Sequence, residues 1–184
     1  MRVLFTGAAG FIGSALGNRL SREPHLLLRA AVRTARGPSS QSVDTVAVGN
    51  IHGATDWREA LKGVDVVVHL AARVHVMNET AKDALAAFRA TNRDGTLRLA
   101  EAMMREGCRR LVFVSTAKVM GEATVPGVPF TSDSRAAPAD PYACSKWEAE
   151  QGLQTLQQSG ALECVVIRPP LVYGPGVGAN FLAM

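Results

Sequence analysis

A glycine-spaced turn near the amino terminus constrains this chain more than any other feature. Thr6-Gly7-Ala8-Ala9-Gly10-Phe11-Ile12-Gly13 follows the apolar run Val3-Leu4-Phe5 and leads into a helical stretch at 14–21. A strand, a glycine turn and a helix start, in that order, are the opening of a βαβ unit. Gly7 permits the turn, Gly10 lets a ligand approach the backbone with no Cβ in the way, and Gly13 lets the helix pack closely on the strand. The unpaired N–H groups and dipole of the helix N-terminus favour an anion, so a pyrophosphate suits this position. The spacing is G-x-x-G-x-x-G, which on its own is a weak signal.

The rest of the chain supports it. Short apolar runs that hardly alternate, at 3–6, 28–32, 43–48, 64–70, 111–115 and 164–167, read as strands buried on both faces. Helical stretches lie at 14–21, 57–61, 81–105 and 142–158, with Asp56 placed to cap the second. This order predicts an α/β fold, a doubly wound parallel sheet of the Rossmann type with right-handed βαβ crossovers. Segments 37–42 and 121–141 read as loops, the second long and rich in proline. A length of 184 residues suits one domain, and 47% apolar residues can fill its core. The chain stops at Met184, soon after Tyr173-Gly174-Pro175-Gly176. The expectation is a nucleotide-binding domain over 1–184 whose C-terminal, substrate-binding part is absent or only begun near 174–184.

Composition excludes several classes. Cys108, Cys144 and Cys164 have no metal-ligand spacing and form no even disulfide set, so a reduced, cytoplasmic setting without a metal is expected. Only three apolar residues precede the first glycine, too few for a signal peptide, and no run elsewhere is long enough to span a membrane. The net charge of +4 comes from scattered arginines with few aromatic residues. That pattern fits an anionic small ligand better than a nucleic-acid groove, which needs clustered charge and stacking rings.

Tyr142-Ala143-Cys144-Ser145-Lys146 opens a helix after Pro141. Positions i and i+4 share a helix face, so Tyr142 and Lys146 can act together. The ammonium, together with a positively charged nicotinamide, is expected to lower the tyrosine pKa and make Tyr142 an acid/base, with Lys146 also free to bond a cofactor ribose. Tyr-x-x-x-Lys also arises by chance on many helices. Ser115-Thr116 ends a buried strand, at the edge where open α/β sheets bind ligands, and supplies a hydroxyl to hold a substrate oxygen. A simple strand-end cap is the plainer role for such a pair.

With these residues in place, the chain resembles the extended short-chain dehydrogenase/reductases, the NAD-dependent epimerase/dehydratase family that acts on nucleotide sugars. The resemblance is carried by the glycine turn, His69-Leu70-Ala71-Ala72, Asn92-Arg93-Asp94-Gly95-Thr96, Phe113-Val114-Ser115-Thr116, Tyr142 to Lys146, and Arg168-Pro169-Pro170-Leu171-Val172-Tyr173-Gly174-Pro175-Gly176. It implies catalysis by Tyr142, Lys146 and Thr116, with Ser115 supporting Thr116. It implies a cofactor, NAD or NADP, held by Gly7, Ala9, Gly10, Phe11, Ile12, Leu70, Ala71, Ala72, Lys146 and Pro169, with Asn92 bracing the helix beside the site. Asn180 matches a residue on the substrate's diphosphate side. Lys118 and His75 fall near the same pocket. A homodimer through helices 81–105 and 142–158 is a further implication.

Three departures refine the expectation. The acidic residue that reads a ribose 2′-hydroxyl is absent; Ala31-Val32-Arg33 stands there, with Arg29 and Arg36 nearby, which leans the choice toward NADP. Asn50-Ile51 replaces an Asp-hydrophobe pair that holds adenine. Ala117-Lys118 follows Thr116 where dehydratases of the family carry Asp-Glu, which disfavours water elimination. What remains is hydride transfer at C4 of a UDP-sugar, as in bacterial 4-epimerases or reductases of UDP-4-keto-6-deoxy-N-acetylhexosamines that supply surface polysaccharide. The alternatives are an NADPH-dependent reductase of a small carbonyl and a cofactor-binding module without turnover.

Overall fold

The computed structural model describes residues 1–34, 43–74 and 83–177. Six strands form one sheet: β1 (Arg2–Thr6), β2 (Leu27–Val32), β3 (Val43–Ala47), β4 (Val66–His69), β5 (Arg110–Val114) and β6 (Glu163–Ile167). Their spatial order is β3-β2-β1-β4-β5-β6, and every pairing is parallel. The order reverses between β1 and β4, the point at which a doubly wound sheet opens a crevice beyond its strand ends.

The helices are α1 (Phe11–Leu20), α2 (Arg58–Leu61), α3 (Ala84–Arg89), α4 (Gly95–Arg105) and α5 (Pro141–Gln158). One apolar cluster packs Leu4, Val67, Leu111 and Phe113 of the sheet against Trp57, Leu61, Leu99, Met103, Ala149 and Leu153. A smaller cluster on the other face contains Val3, Phe5, Leu28, Ala30 and Val32, with Leu20 of α1 packed against it. Alternate residues of β1 therefore enter different clusters, as side chains on a strand must.

Several boundaries differ from the sequence expectation. Helix α1 starts at Phe11 rather than at 14, because Gly10 takes the extended N-cap conformation. The expected helix 81–105 begins at Ala84 among the described residues and is broken by a π-helical turn, Ala90–Asp94. Asp56 is not the N-cap of α2; Trp57 is, although Asp56 Oδ1 still accepts the Arg58 N–H at 3.1 Å. A 3₁₀ turn, Ala117–Met120, follows β5. The outer strands β3 and β6 are not buried on both faces: all but Cys164 of β6 are exposed. They are the sheet's two edges, and edge strands have one partner instead of two. Loop 37–42 lies outside the described residues.

Candidate active site

The glycine turn joins β1 to α1. Gly7 sits at φ +71°, and a Cβ there would lie 2.8 Å from the Ala71 nitrogen, so the backbone just past β4 leaves no room for a side chain. A Cβ at Gly13 would lie 2.0 Å from the Gly7 carbonyl oxygen. Gly13 thus lets the helix approach the turn itself, rather than the strand as expected. Gly10 is the N-cap and offers no side-chain acceptor, and the first turn of α1 has no acidic residue. The first N–H groups of a helix have no intrahelical partner, so this end fits a phosphate pair. A Cβ at Gly174 would contact the Phe11 ring at 3.7 Å, so the chain beyond β6 returns across the start of α1.

On the other side of the crevice Asn92 acts as a clamp. It is 1% exposed and sits inside the π-helical turn. Its Oδ1 accepts the Arg73 N–H at 2.8 Å, and its Nδ2 donates to Arg73 O at 3.0 Å and to Ser145 Oγ at 2.9 Å. Ser145 in turn donates to Tyr142 O at 2.7 Å. One side chain thereby ties the segment beyond β4 to the first turn of α5.

Helix α5 is launched by Asp140 and Pro141. Asp140 Oδ1 accepts the Ala143 N–H at 2.6 Å, and Pro141 takes the first helical position, where no N–H is needed. Tyr142 is half-buried, with its ring edge-on to Phe88 at 6.1 Å between centroids. Thr116, whose Oγ1 accepts the Lys118 N–H at 3.3 Å, lies near enough to pull the Tyr142 phenol down. Lys146, one turn further on, is 1% exposed; its Nζ donates to Val114 O at 2.7 Å and lies 4.0 Å above the Phe113 ring. The lysine therefore reaches the C-terminal edge of β5, with Tyr142 one helical turn before it on α5.

Burial dominates the electrostatics of the tyrosine and the lysine in the chain alone. Burial and the Asp140 carboxylate push the Tyr142 phenol up, and the nearby Thr116 hydroxyl is the opposing pull. Lys146 is not what tunes it, because the ammonium is aimed at a backbone carbonyl. Burial draws the Lys146 amine down to about 7, with Glu150 pulling the other way. Ser115 makes no side-chain hydrogen bond to Thr116: its buried Oγ has no partner among the described residues, and its N–H donates to Ile167 O at 2.7 Å.

Other expected residues are also used locally. Lys118 Nζ pairs with Asp140 Oδ2 at 2.8 Å. Arg29 pairs with Asp44 at 2.7 Å and donates to the carbonyls of Glu59, Ala60 and Lys62 at the end of α2. It is therefore committed to the fold and is no reader of a 2′-phosphate. Arg33 is exposed just past β2. Asn50 is exposed, and its carbonyl accepts the Thr55 hydroxyl at 3.1 Å. Ile51 fills the notch left by Gly95, where a Cβ would lie 2.5 Å from its Cγ2. Leu70, Ala71, Ala72 and Pro169 are half-buried, and the Pro169 carbonyl accepts the Ala117 N–H at 2.9 Å. Ala9 and Ile12 are exposed at the turn. His75, Arg36 and Asn180 lie outside the described residues. Sequence reasoning missed Asp140, although Asp-Pro before a helix is a capping signature.

The match to known proteins follows this geometry. The family model described as NAD dependent epimerase/dehydratase family matches residues 3–184. This chain belongs to that family. It is 40% identical to a UDP-glucose 4-epimerase of Vibrio cholerae, over 99% of this chain and 55% of that protein. It is 32% identical to a 2-alkyl-3-oxoalkanoate reductase of Stenotrophomonas maltophilia, over 96% of this chain and 52% of that one. Among solved structures, MoeE5 in complex with UDP-glucuronic acid and NAD superposes with a TM-score of 0.82 at 31% identity, covering 98% of this chain and 58% of MoeE5. The chain thus spans about half the length of the relatives it matches. Among the described residues no cluster could hold a metal ion, and no helix is long and apolar enough to cross a membrane.

Proposed function

We propose that the protein carries the cofactor half of an NAD-dependent nucleotide-sugar enzyme that works at sugar C4, by 4-epimerisation. The observation that carries this reading is the juxtaposition of Thr116, Tyr142 and the buried Lys146, whose Nζ bonds Val114 O, at the sheet edge that also holds the glycine turn. The Vibrio cholerae epimerase at 40% identity supports the reaction class. NAD is favoured over NADP because MoeE5 binds NAD; Arg33, exposed just past β2, is the residue that would read a 2′-phosphate.

The nicotinamide, when bound, supplies the acceptor and donor of hydride. The protein's own part is proton handling and placement. Thr116 Oγ1 holds the sugar 4-oxygen, and Tyr142 Oη takes the hydroxyl proton as the keto sugar forms and returns it as the alcohol is restored. Lys146, its amine held by the Val114 carbonyl at the end of β5, stands one helical turn beyond Tyr142. Gly7, Gly10 and the first turn of α1 hold the phosphates. Elimination of water is disfavoured because Ala117 and Lys118 supply no carboxylate, and Lys118 is held by Asp140.

The test is a fluorescence titration with NADH and NADPH in parallel, followed by turnover of UDP-glucose. NADH is expected to bind more tightly, and Tyr142→Phe is expected to lose about 10²-fold or more in turnover with cofactor affinity kept. Tighter NADPH binding, with turnover of a simple ketone and none of UDP-glucose, would favour instead the second reading that the 2-alkyl-3-oxoalkanoate reductase supports. Full activity in Tyr142→Phe would remove Tyr142 from the proton step.

A further inference from the structure

A buried chain of polar side chains crosses the molecule behind the proposed site. Thr6, His69 and Thr96 are 0%, 0% and 1% exposed. Thr6 and His69 are register partners on β1 and β4, and Phe113 of β5 continues the row, its ring stacked on the imidazole at 5.9 Å. Thr6 Oγ1 lies 2.8 Å from His69 Nδ1, His69 Nε2 lies 3.0 Å from Thr96 Oγ1, and the Thr96 hydroxyl donates to Asn92 O at 2.7 Å.

The direction of every bond is fixed by counting. Thr6 Oγ1 accepts the N–H groups of Leu70 and Ala71 at 3.1 and 3.0 Å, so its lone pairs are used and its hydrogen goes to His69 Nδ1. The imidazole is neutral, because burial, helped by the Lys146 charge beyond Phe113, draws its pKa down to about 3. The ring proton is then on Nε2 and is given to Thr96, whose own hydrogen goes to the Asn92 carbonyl. All donors and acceptors are satisfied, and only this tautomer satisfies them. A network of this kind specifies one arrangement.

We propose that His69 is a positioning residue. Held as the Nε2–H tautomer between Thr6 and Thr96, it sets the π-helical turn at Asn92, and through Asn92 it sets Tyr142 of α5 relative to the glycine turn. The chain of contact is continuous: Thr6 fixes the segment at Leu70 and Ala71 on the cofactor side, and Asn92 fixes Ser145, which bonds Tyr142 O. A π-turn in a helix stores a local irregularity that needs such support. The effect on turnover rests on the function proposed above, but two measurements need neither cofactor nor substrate.

The first is ¹⁵N–¹H NMR of the imidazole in the unaltered protein. His69 is expected to show a proton on Nε2 and none on Nδ1, unchanged between about pH 8 and pH 5. A proton on Nδ1, or titration in that window, overturns the proposal. The second is the ultraviolet titration of Tyr142 in a Tyr173→Phe background, which leaves one tyrosine of the two. His69→Leu and Thr96→Val are expected to displace its midpoint. His69→Gln, whose amide can accept from Thr6 and donate to Thr96, is expected to restore it. An unchanged midpoint in folded Thr96→Val overturns the proposal even if His69→Leu does not fold. Where turnover is measurable, His69→Leu should lower kcat about ten-fold or more with KM nearly unchanged. Intact NMR and tyrosine behaviour without UDP-sugar turnover would count against the proposed function and leave the positioning role standing.

Discussion

Asp140 stands two residues before Tyr142 and has two tasks. One carboxylate oxygen caps α5 and the other pairs with Lys118. Its charge also opposes ionisation of Tyr142. A nearby negative charge favours the neutral phenol, so removing it should move the phenolate midpoint down. Asp140→Asn is the clean test, because asparagine caps a helix about as well as aspartate. In the Tyr173→Phe background the expected result is a midpoint below that of the parent, with helix content and urea midpoint nearly unchanged. A midpoint that stays put or rises would show that Asp140 does not tune the tyrosine. The placement of Tyr142, Lys146 and Thr116 was legible in the sequence because their relations are local: four residues apart on a helix, or two residues beyond a strand. Asp140–Lys118 and His69–Thr96 were not, since 22 and 27 residues separate the partners and only the folded sheet brings them together.

At the level of elements, the first βα unit was legible almost whole, since strand, turn and helix follow one another directly. Its glycines divide into two kinds. A Cβ at Gly13 would meet the Gly7 carbonyl oxygen at 2.0 Å, a backbone atom that cannot swing away. A Cβ at Gly10 would meet the same oxygen at 3.2 Å, and Gly10 has an ordinary φ of −78°. Gly13→Ala is therefore expected to cost about 3 kcal/mol or more in a urea melt, at or beyond the upper end of overpacking. Gly10→Ala should cost about 1 kcal/mol or less and instead weaken NADH binding in the fluorescence titration. Equal stability losses in the two variants would contradict this division. The π-helical turn was invisible to pattern reading because Thr91-Asn92-Arg93-Asp94 is polar and carries no apolar period in which a break would show. What marks it is the tertiary demand on Asn92, whose amide must reach both Arg73 and Ser145.

At the scale of the whole molecule, parallel pairing follows from the strand–helix alternation, but the order of the strands and their uneven burial do not. Continuous apolar runs suggested two covered faces for every strand, yet β6 carries Val165, Val166 and Ile167 at 60%, 37% and 46% exposure. Leu171, Val172 and Tyr173 extend this apolar surface at 56%, 37% and 70%. Among the described residues no strand pairs with the outer edge of β6. An open edge of aliphatic residues is a template for another strand. The chain is therefore expected to self-associate through β6, with a sedimentation coefficient that rises with concentration. Val165→Lys places a charge on that edge and should return the protein to a monomer across the same range. An association that survives Val165→Lys would have to use another surface, such as the α3–α5 side where Arg89 and Arg93 converge on Glu148. In that case Glu148→Arg, which puts three positive charges together, should be the variant that dissociates it.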